Sequence, residues 1–288
     1  MRVIDAHVHL YPPEAGREPT GWAAARGEAH WAVLCTRRRQ DGRPVQGFPG
    51  VDGLLRAMDA AGVGRAVLLG WYWENHATCV EQNRFYAGCV RAHPDRLGAC
   101  ATVHPAAGAA ALAEMRRVRD EGFVGLGELS PHSQHFDLGD PFWREVLALA
   151  GELKLPVNLH VTDPAGREYP GRVATPLEDF RGMALAFPGT VFVLAHWGGG
   201  LAAAREFAGL ANVYYDTAAS PLLYRAGDVP GLLAALPVDK VLFGSDYPLT
   251  LYPAVESAPE LGRILGELRA AGATDGLLGG NAARLFGL

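Results

Sequence analysis

The sequence is poor in cysteine: Cys35, Cys79, Cys89 and Cys100 are the only four in 288 residues, and none are in CxxC spacing. That excludes a disulfide framework and a cysteine-built zinc cluster, and it reads as reduced, packed thiols. Also missing is any uninterrupted apolar run of about 18 residues, the length a membrane-spanning helix requires. The opening MRVIDAHVHL has neither the apolar stretch nor the small-residue cleavage site of a secretory signal. A soluble, cytoplasmic protein is the expectation. No basic tail stands apart, and 26 Lys plus Arg against 31 Asp plus Glu leave a net charge of −5. Nucleic acid and membrane surfaces are therefore not expected partners. Neither GxGxxG nor a P-loop follows the first apolar stretch, which argues against a nucleotide-binding open sheet.

What is present points to one large core, since hydrophobic residues make up 49% and charged residues 20% of the chain. Short apolar segments rich in β-branched residues recur along it. They are VIDAHVHL from Val3, RAVLLG from Arg65, LGACATV from Leu97 and VGLGEL from Val124, then PVNLHV from Pro156, VFVLAHW from Val191, VYYDTA from Val213 and KVLFGSD from Lys240. Helical periodicity fills the intervals, as at 50–62, 111–122 and 141–154, the first two closing at glycine. Eight strands alternating with helices predict a (β/α)8 barrel, whose strands are buried on both faces and so read as nearly continuous apolar runs. The barrel is read as a single domain over 1–288. Gly198–Gly200 read as a tight turn into a helix. Residues 11–50, rich in Pro, Gly and Arg, form a long loop insertion after strand one. An insertion of that length is a lid, a loop or an oligomer contact, so a homo-oligomer is one expectation, and the flanking strands are not expected to depend on it.

Metal-capable side chains fall where strands end. Strand one closes with His7 and His9, strand three with His104, strand four with Glu128, strand five with His160, strand six with His196, strand seven with Asp216 and strand eight with Asp246. In a barrel these are the C-terminal ends, where active sites are built. His7 and His9, two apart on a strand, share a face and can grip one ion, and His160 and Asp246 offer further ligands from other strands. Imidazole mixed with carboxylate suits a divalent ion, zinc first and manganese second. Asp5 lies deeper on the same face in a supporting place. Asp216 either orients a ligand or caps its strand.

The motifs IDAHVH, NLH (158–160), LAHWGG (194–199), FGSDYP (243–248) and GGNAARLFGL resemble, in that order, the amidohydrolase superfamily. The similarity is to its amidohydrolase-related branch of metal-dependent hydrolases, lactonases and non-oxidative decarboxylases, and it covers essentially the whole chain. The resemblance implies that His7, His9, His160 and Asp246 are metal ligands and that His196 is a catalytic or supporting histidine. Two-metal members carry a carboxylated lysine at the end of strand four, where this chain has Glu128. Glu128 then binds a second ion, bridges two ions, contacts substrate or merely hydrogen-bonds its neighbours. One ion is expected, and a second if Glu128 is a ligand.

Around the same rim, Trp71, Tyr72, Trp73, Trp197 and Tyr247 either wall a pocket for a planar or apolar small-molecule substrate or pack loops onto the barrel mouth. His104 is a packed histidine or a substrate contact, and Arg225 is a carboxylate clamp or a solvated loop residue. His132, His135 and the cluster Arg37, Arg38 and Arg39 read as solvated. The expected chemistry is hydrolysis of a small lactone, amide or ester by activated water. In it Asp246 is both ligand and proton shuttle, and His196 hydrogen-bonds the hydroxide or the developing oxyanion. The alternatives are decarboxylation of an unsaturated or aromatic acid on the same metal, and a catalytically silent barrel.

Overall fold

The computed structural model describes residues 2–288. Each apolar segment supplies one strand: β1 (Ile4–Val8), β2 (Arg65–Leu69), β3 (Leu97–Ala101), β4 (Gly125–Leu129), β5 (Val157–Leu159), β6 (Phe192–Leu194), β7 (Val213–Asp216) and β8 (Val241–Leu242). They lie in one eight-stranded sheet in chain order, and neighbours pair in parallel throughout. The seam between β1 and β8 is closed by Ala6 N–H donating to Phe243 O, Asp246 N–H to His7 O and His9 N–H to Tyr247 O, all at 2.7–2.9 Å. The fold is a (β/α)8 barrel. Its strands tolerate almost no polar residue except at their C-terminal ends, because inner and outer faces are both covered.

The outer layer holds α4 (Val51–Ala61), α5 (His76–Ala92), α6 (Ala109–Asp120), α7 (Pro141–Leu153), α8 (Leu177–Ala186), α9 (Leu201–Glu206), α10 (Ser220–Leu223), α11 (Val229–Ala235), α12 (Gly262–Ala270) and α13 (Asn281–Phe286). The helices expected at 50–62, 111–122 and 141–154 are α4, α6 and α7. α4 stops at Gly62, whose φ of 72° lets the chain reverse without a Cβ clash. All four cysteines are buried and free. Among the described residues no helix is long and apolar enough to cross a membrane.

The insertion differs from the loop that its composition suggests. It folds into α1 (Pro13–Arg17), α2 (Pro19–Arg26) and α3 (Ala29–Cys35), two of them opening on proline, which the first helical turn accepts. These helices pack Tyr11, Trp22 and Trp31 onto Trp71, Tyr72 and Trp73 in a separate aromatic cluster over the barrel mouth. The rim is therefore packed against the insertion. Glu28, fully buried, accepts N–H bonds from Glu74 and Asn75 of the segment after β2 and fastens the two together.

Candidate metal centre and cavity

His7 and His9 reach the barrel mouth with their outer nitrogens already engaged. His7 Nδ1 lies 2.9 Å from Asp216 Oδ2, and His9 Nδ1 lies 3.0 Å from the Leu69 carbonyl oxygen. An acceptor at each Nδ1 places the ring proton there, so a neutral pair turns two bare Nε2 lone pairs on each other, and these atoms are 3.1 Å apart. Two acceptors at that distance repel, and a cation shared between them removes the conflict. Asp246 Oδ1 stands 3.5 Å from His9 Nε2 and 3.9 Å from His7 Nε2, while Glu128 Oε2 stands 3.8 Å and 4.0 Å from the same atoms. Donors about 2.0 Å from a tetrahedral ion are about 3.3 Å from one another, so this set fits a zinc-sized ion. Burial alone would depress a charged His7, yet Asp216, Glu128 and Asp246 outweigh it and raise the imidazole to about 10. The protein favours positive charge at this point.

A second group adjoins the first through Glu128. His160 Nδ1 lies 3.0 Å from Glu128 Oε1 and 3.2 Å from His196 Nε2, and His196 Nε2 is 3.7 Å from the same carboxylate oxygen. His196 Nδ1 points at the carbonyl of Ala218, 3.1 Å away, which leaves its Nε2 an acceptor. One proton on His160 Nδ1 thus satisfies this group, whereas the first needs a positive charge between its facing nitrogens, from a proton on His7 or a bound cation. Burial opposes ionisation of Glu128, but His160, His7 and His196 hold it far below the usual carboxylate range. The expected ligands His7, His9 and Asp246 come together; His160 stands with Glu128 and His196 instead.

Local backbone explains the aim of these groups. His196, Trp197 and Asp246 have φ of 57°, 60° and 66°, a left-handed region costing about 1–3 kcal/mol for such residues. Asp216 restrains the first turn, its Oδ1 accepting the N–H of His196 at 3.1 Å and of Ala218 at 3.0 Å. Gly198–Gly200, all at positive φ, complete that turn into α9, as the sequence leads one to expect. Asp5, deeper on β1, accepts the N–H groups of His7 and Ser245, and burial raises it to about 7.

His9, Glu128, His160, His196 and Asp246 floor a cavity of about 620 Å³. Trp71 and Tyr72 wall one side, stacked at 4.4 Å with planes 28° apart. Arg37, Arg167, Arg172 and Arg225 stand along the upper part, with Tyr169, Thr162 and Asp163. Arg37 donates Nε–H to Leu34 O and lies over the Tyr169 ring at 5.0 Å. Arg225 is on this wall and exposed. Arg37, expected to be solvated with Arg38 and Arg39, instead lines the cavity, because the fold of the insertion sets it against Tyr169; nothing local in the sequence singles out Tyr169 or Arg172, which come from the loop after β5.

Two expected substrate contacts are corrected. Trp197 is wholly buried in the core behind the turn, its indole N–H donating to Ser220 Oγ at 2.6 Å, because the left-handed backbone at 196–197 points the side chain away from the cavity. His104 has both ring nitrogens engaged, Nε2 with Gln134 O and Nδ1 with Ala106 N–H, so it packs the loop and does not border the cavity. Trp73 and Tyr247 are likewise packing residues. His132 is half-buried against Asp179 rather than freely solvated.

The sequence profile named Amidohydrolase matches residues 4–288. The chain belongs to the amidohydrolase family. Members of this family are enzymes, with a divalent metal the usual cofactor, and either hydrolysis or decarboxylation is open to this amidohydrolase. No curated protein matches. Among solved structures it is similar to 5-carboxyvanillate decarboxylase of Sphingomonas paucimobilis, with a TM-score of 0.72 and 19% identity over 100% of this chain and 99% of that one. It is also similar to 4-oxalomesaconate hydratase of Rhodopseudomonas palustris (TM-score 0.68, 18%, 99% and 95%). A third is a probable 2-pyrone-4,6-dicarboxylic acid hydrolase of Acinetobacter baumannii with citric acid bound (0.66, 16%, 100% and 100%). At these identities the likeness is one of fold.

Proposed function

We propose that this amidohydrolase is a metal-dependent hydrolase of a small lactone, amide or ester that carries a carboxylate. The carrying observation is the approach of His7 and His9, their Nε2 atoms 3.1 Å apart below the cavity, with Asp246 and Glu128 beside them and positive charge favoured between them. His7, His9 and Asp246 would hold the ion, with Glu128 beside them from β4. The ion is zinc, with manganese the alternative, and a second would sit between Glu128, His160 and His196. When bound, such an ion polarises a carbonyl oxygen and acidifies water. Asp246 takes the proton from the attacking water and passes it to the leaving group. His196, an acceptor at Nε2, orients that water. Arg37, Arg172 and Arg225 receive the carboxylate, and the names of the structural relatives, all of carboxylated compounds, support that class.

A second reading, decarboxylation of an unsaturated or aromatic acid, is favoured by the flat wall of Trp71 and Tyr72, which suits a planar ring. Assay of carboxylated lactones for acid release and of aromatic acids for carbon dioxide separates the two. Protein purified without chelator should hold about one divalent ion per chain, and His7→Ala should lose both metal and turnover. Undiminished activity in chelator, with no restorable metal, would refute both readings.

A further inference from the structure

Tyr72 sits in the cavity wall, and the backbone just before it is firmly held. The preceding Trp71 donates its N–H to Gln82 Oε1 and accepts from Thr102 Oγ1, both at 2.7 Å. Gly70 exchanges backbone bonds of 2.6 Å with Gly127 and Glu128. The ring is clamped between Trp71 at 4.4 Å and His160 at 5.1 Å. Only 3% of the residue is exposed, yet among the described residues its hydroxyl has no hydrogen-bond partner. Unlike the indole N–H of Trp71, which is sealed in the packing, the hydroxyl is not closed off from the cavity. A hydroxyl fixed on a packed ring, facing the cavity and unpaired within the protein, is free to donate to whatever the cavity binds.

Glu128 and Asp246 are acceptors, His196 presents a lone pair, and the His160 Nδ1 proton is taken by Glu128. The floor of the cavity is thus rich in acceptors, and a neutral phenol is a donor at ordinary pH. We propose that the Tyr72 hydroxyl donates a hydrogen bond to the substrate oxygen that becomes negative during addition of water, which makes Tyr72 a catalytic residue. This rests on the hydrolase reading. In the step, the water oxygen bonds to the carbonyl carbon, the carbonyl π pair moves onto oxygen, and the water proton goes to the Asp246 carboxylate. The oxyanion accepts from Tyr72 O–H without removing its proton. When the pair returns, the bond to the leaving group breaks and Asp246 returns the proton to it. A rigid donor aimed at developing charge needs no reorganisation when that charge appears.

The test uses metal-loaded protein and two probes measured by calorimetry: inorganic phosphate, a tetrahedral oxyanion, and acetate, a planar one. Tyr72→Phe keeps the ring and its packing. It should weaken phosphate roughly tenfold or more and acetate less than about threefold, at unchanged metal content. Replacing Tyr72 with 3-fluorotyrosine, a stronger donor of nearly the same size, should tighten phosphate, and it decides the matter if the Phe variant does not fold. Equal weakening of both probes, no change in either, absence of phosphate binding to the unaltered protein, or loss of metal from Tyr72→Phe would each overturn the proposal. Metal content and turnover of the unaltered protein judge the hydrolase reading separately, because the phosphate comparison needs no turnover.

Discussion

Asp216 touches four groups at once, none of them on a substrate. Its Oδ2 accepts from His7 Nδ1 and from Asn158 Nδ2 at 3.0 Å, while Oδ1 takes the N–H groups of His196 and Ala218. One carboxylate therefore sets the His7 tautomer and the start of the strained turn at His196. Asp216→Asn removes the charge and offers an amide in place of one oxygen, so the His7 proton is no longer held at Nδ1. Metal affinity should fall about 10- to 100-fold, read by competition with a chromophoric chelator, and unchanged affinity would show that His7 is oriented by something else. At this scale much of the site was legible from strand ends: His9, Glu128, His160, His196 and Asp246 line the cavity, and His7 lies directly behind His9. It was not legible one residue further on. Trp197 follows His196, and His104 ends a strand too, but the direction of each side chain is decided by a backbone turn and by nearby carbonyls that no spacing rule encodes.

The insertion shows what composition hides at the scale of elements. Its Pro, Gly and Arg content reads as loop, yet prolines opening α1 and α2 are helix starts, and Trp22 and Trp31 supply the apolar faces that such short helices lack by propensity alone. The barrel strands announce themselves because both faces are buried; helices of five to eight residues have no such pattern. Trp31 is 1% exposed and packs against Tyr11, Trp22, Phe48 and Trp73. Trp31→Ala should cost about 3–5 kcal/mol in denaturant unfolding. Because Tyr11 continues to His9 and Trp71, the Michaelis constant should rise as well. Loss of stability with unaltered substrate binding would confine the insertion to a structural role.

Across the whole molecule, the proposed ion joins the two ends of the sheet. His7 and His9 belong to β1 and Asp246 follows β8, and the seam between them carries backbone bonds at Ala6, His9 and Asp246. An ion bound at a hundred times its dissociation constant stabilises the folded state by about 2.7 kcal/mol, which for a chain of this size is on the order of 5 °C in Tm. Calorimetry before and after chelator should show that drop and its reversal on adding metal back; an unmoved transition would mean that no ion bridges the seam.

The position of that seam bears on how the protein comes into being. A ribosome releases β1 before β8, so a nascent chain carries His7 and His9 unable to close on an ion with Asp246 until the last barrel strand has emerged. Capture of the proposed ion and closure of the barrel would then be one event, and an ion met too early would find only half a grip. For the same reason the amides of Ala6, His9 and Asp246 are where a metal-stripped molecule would first admit deuterium.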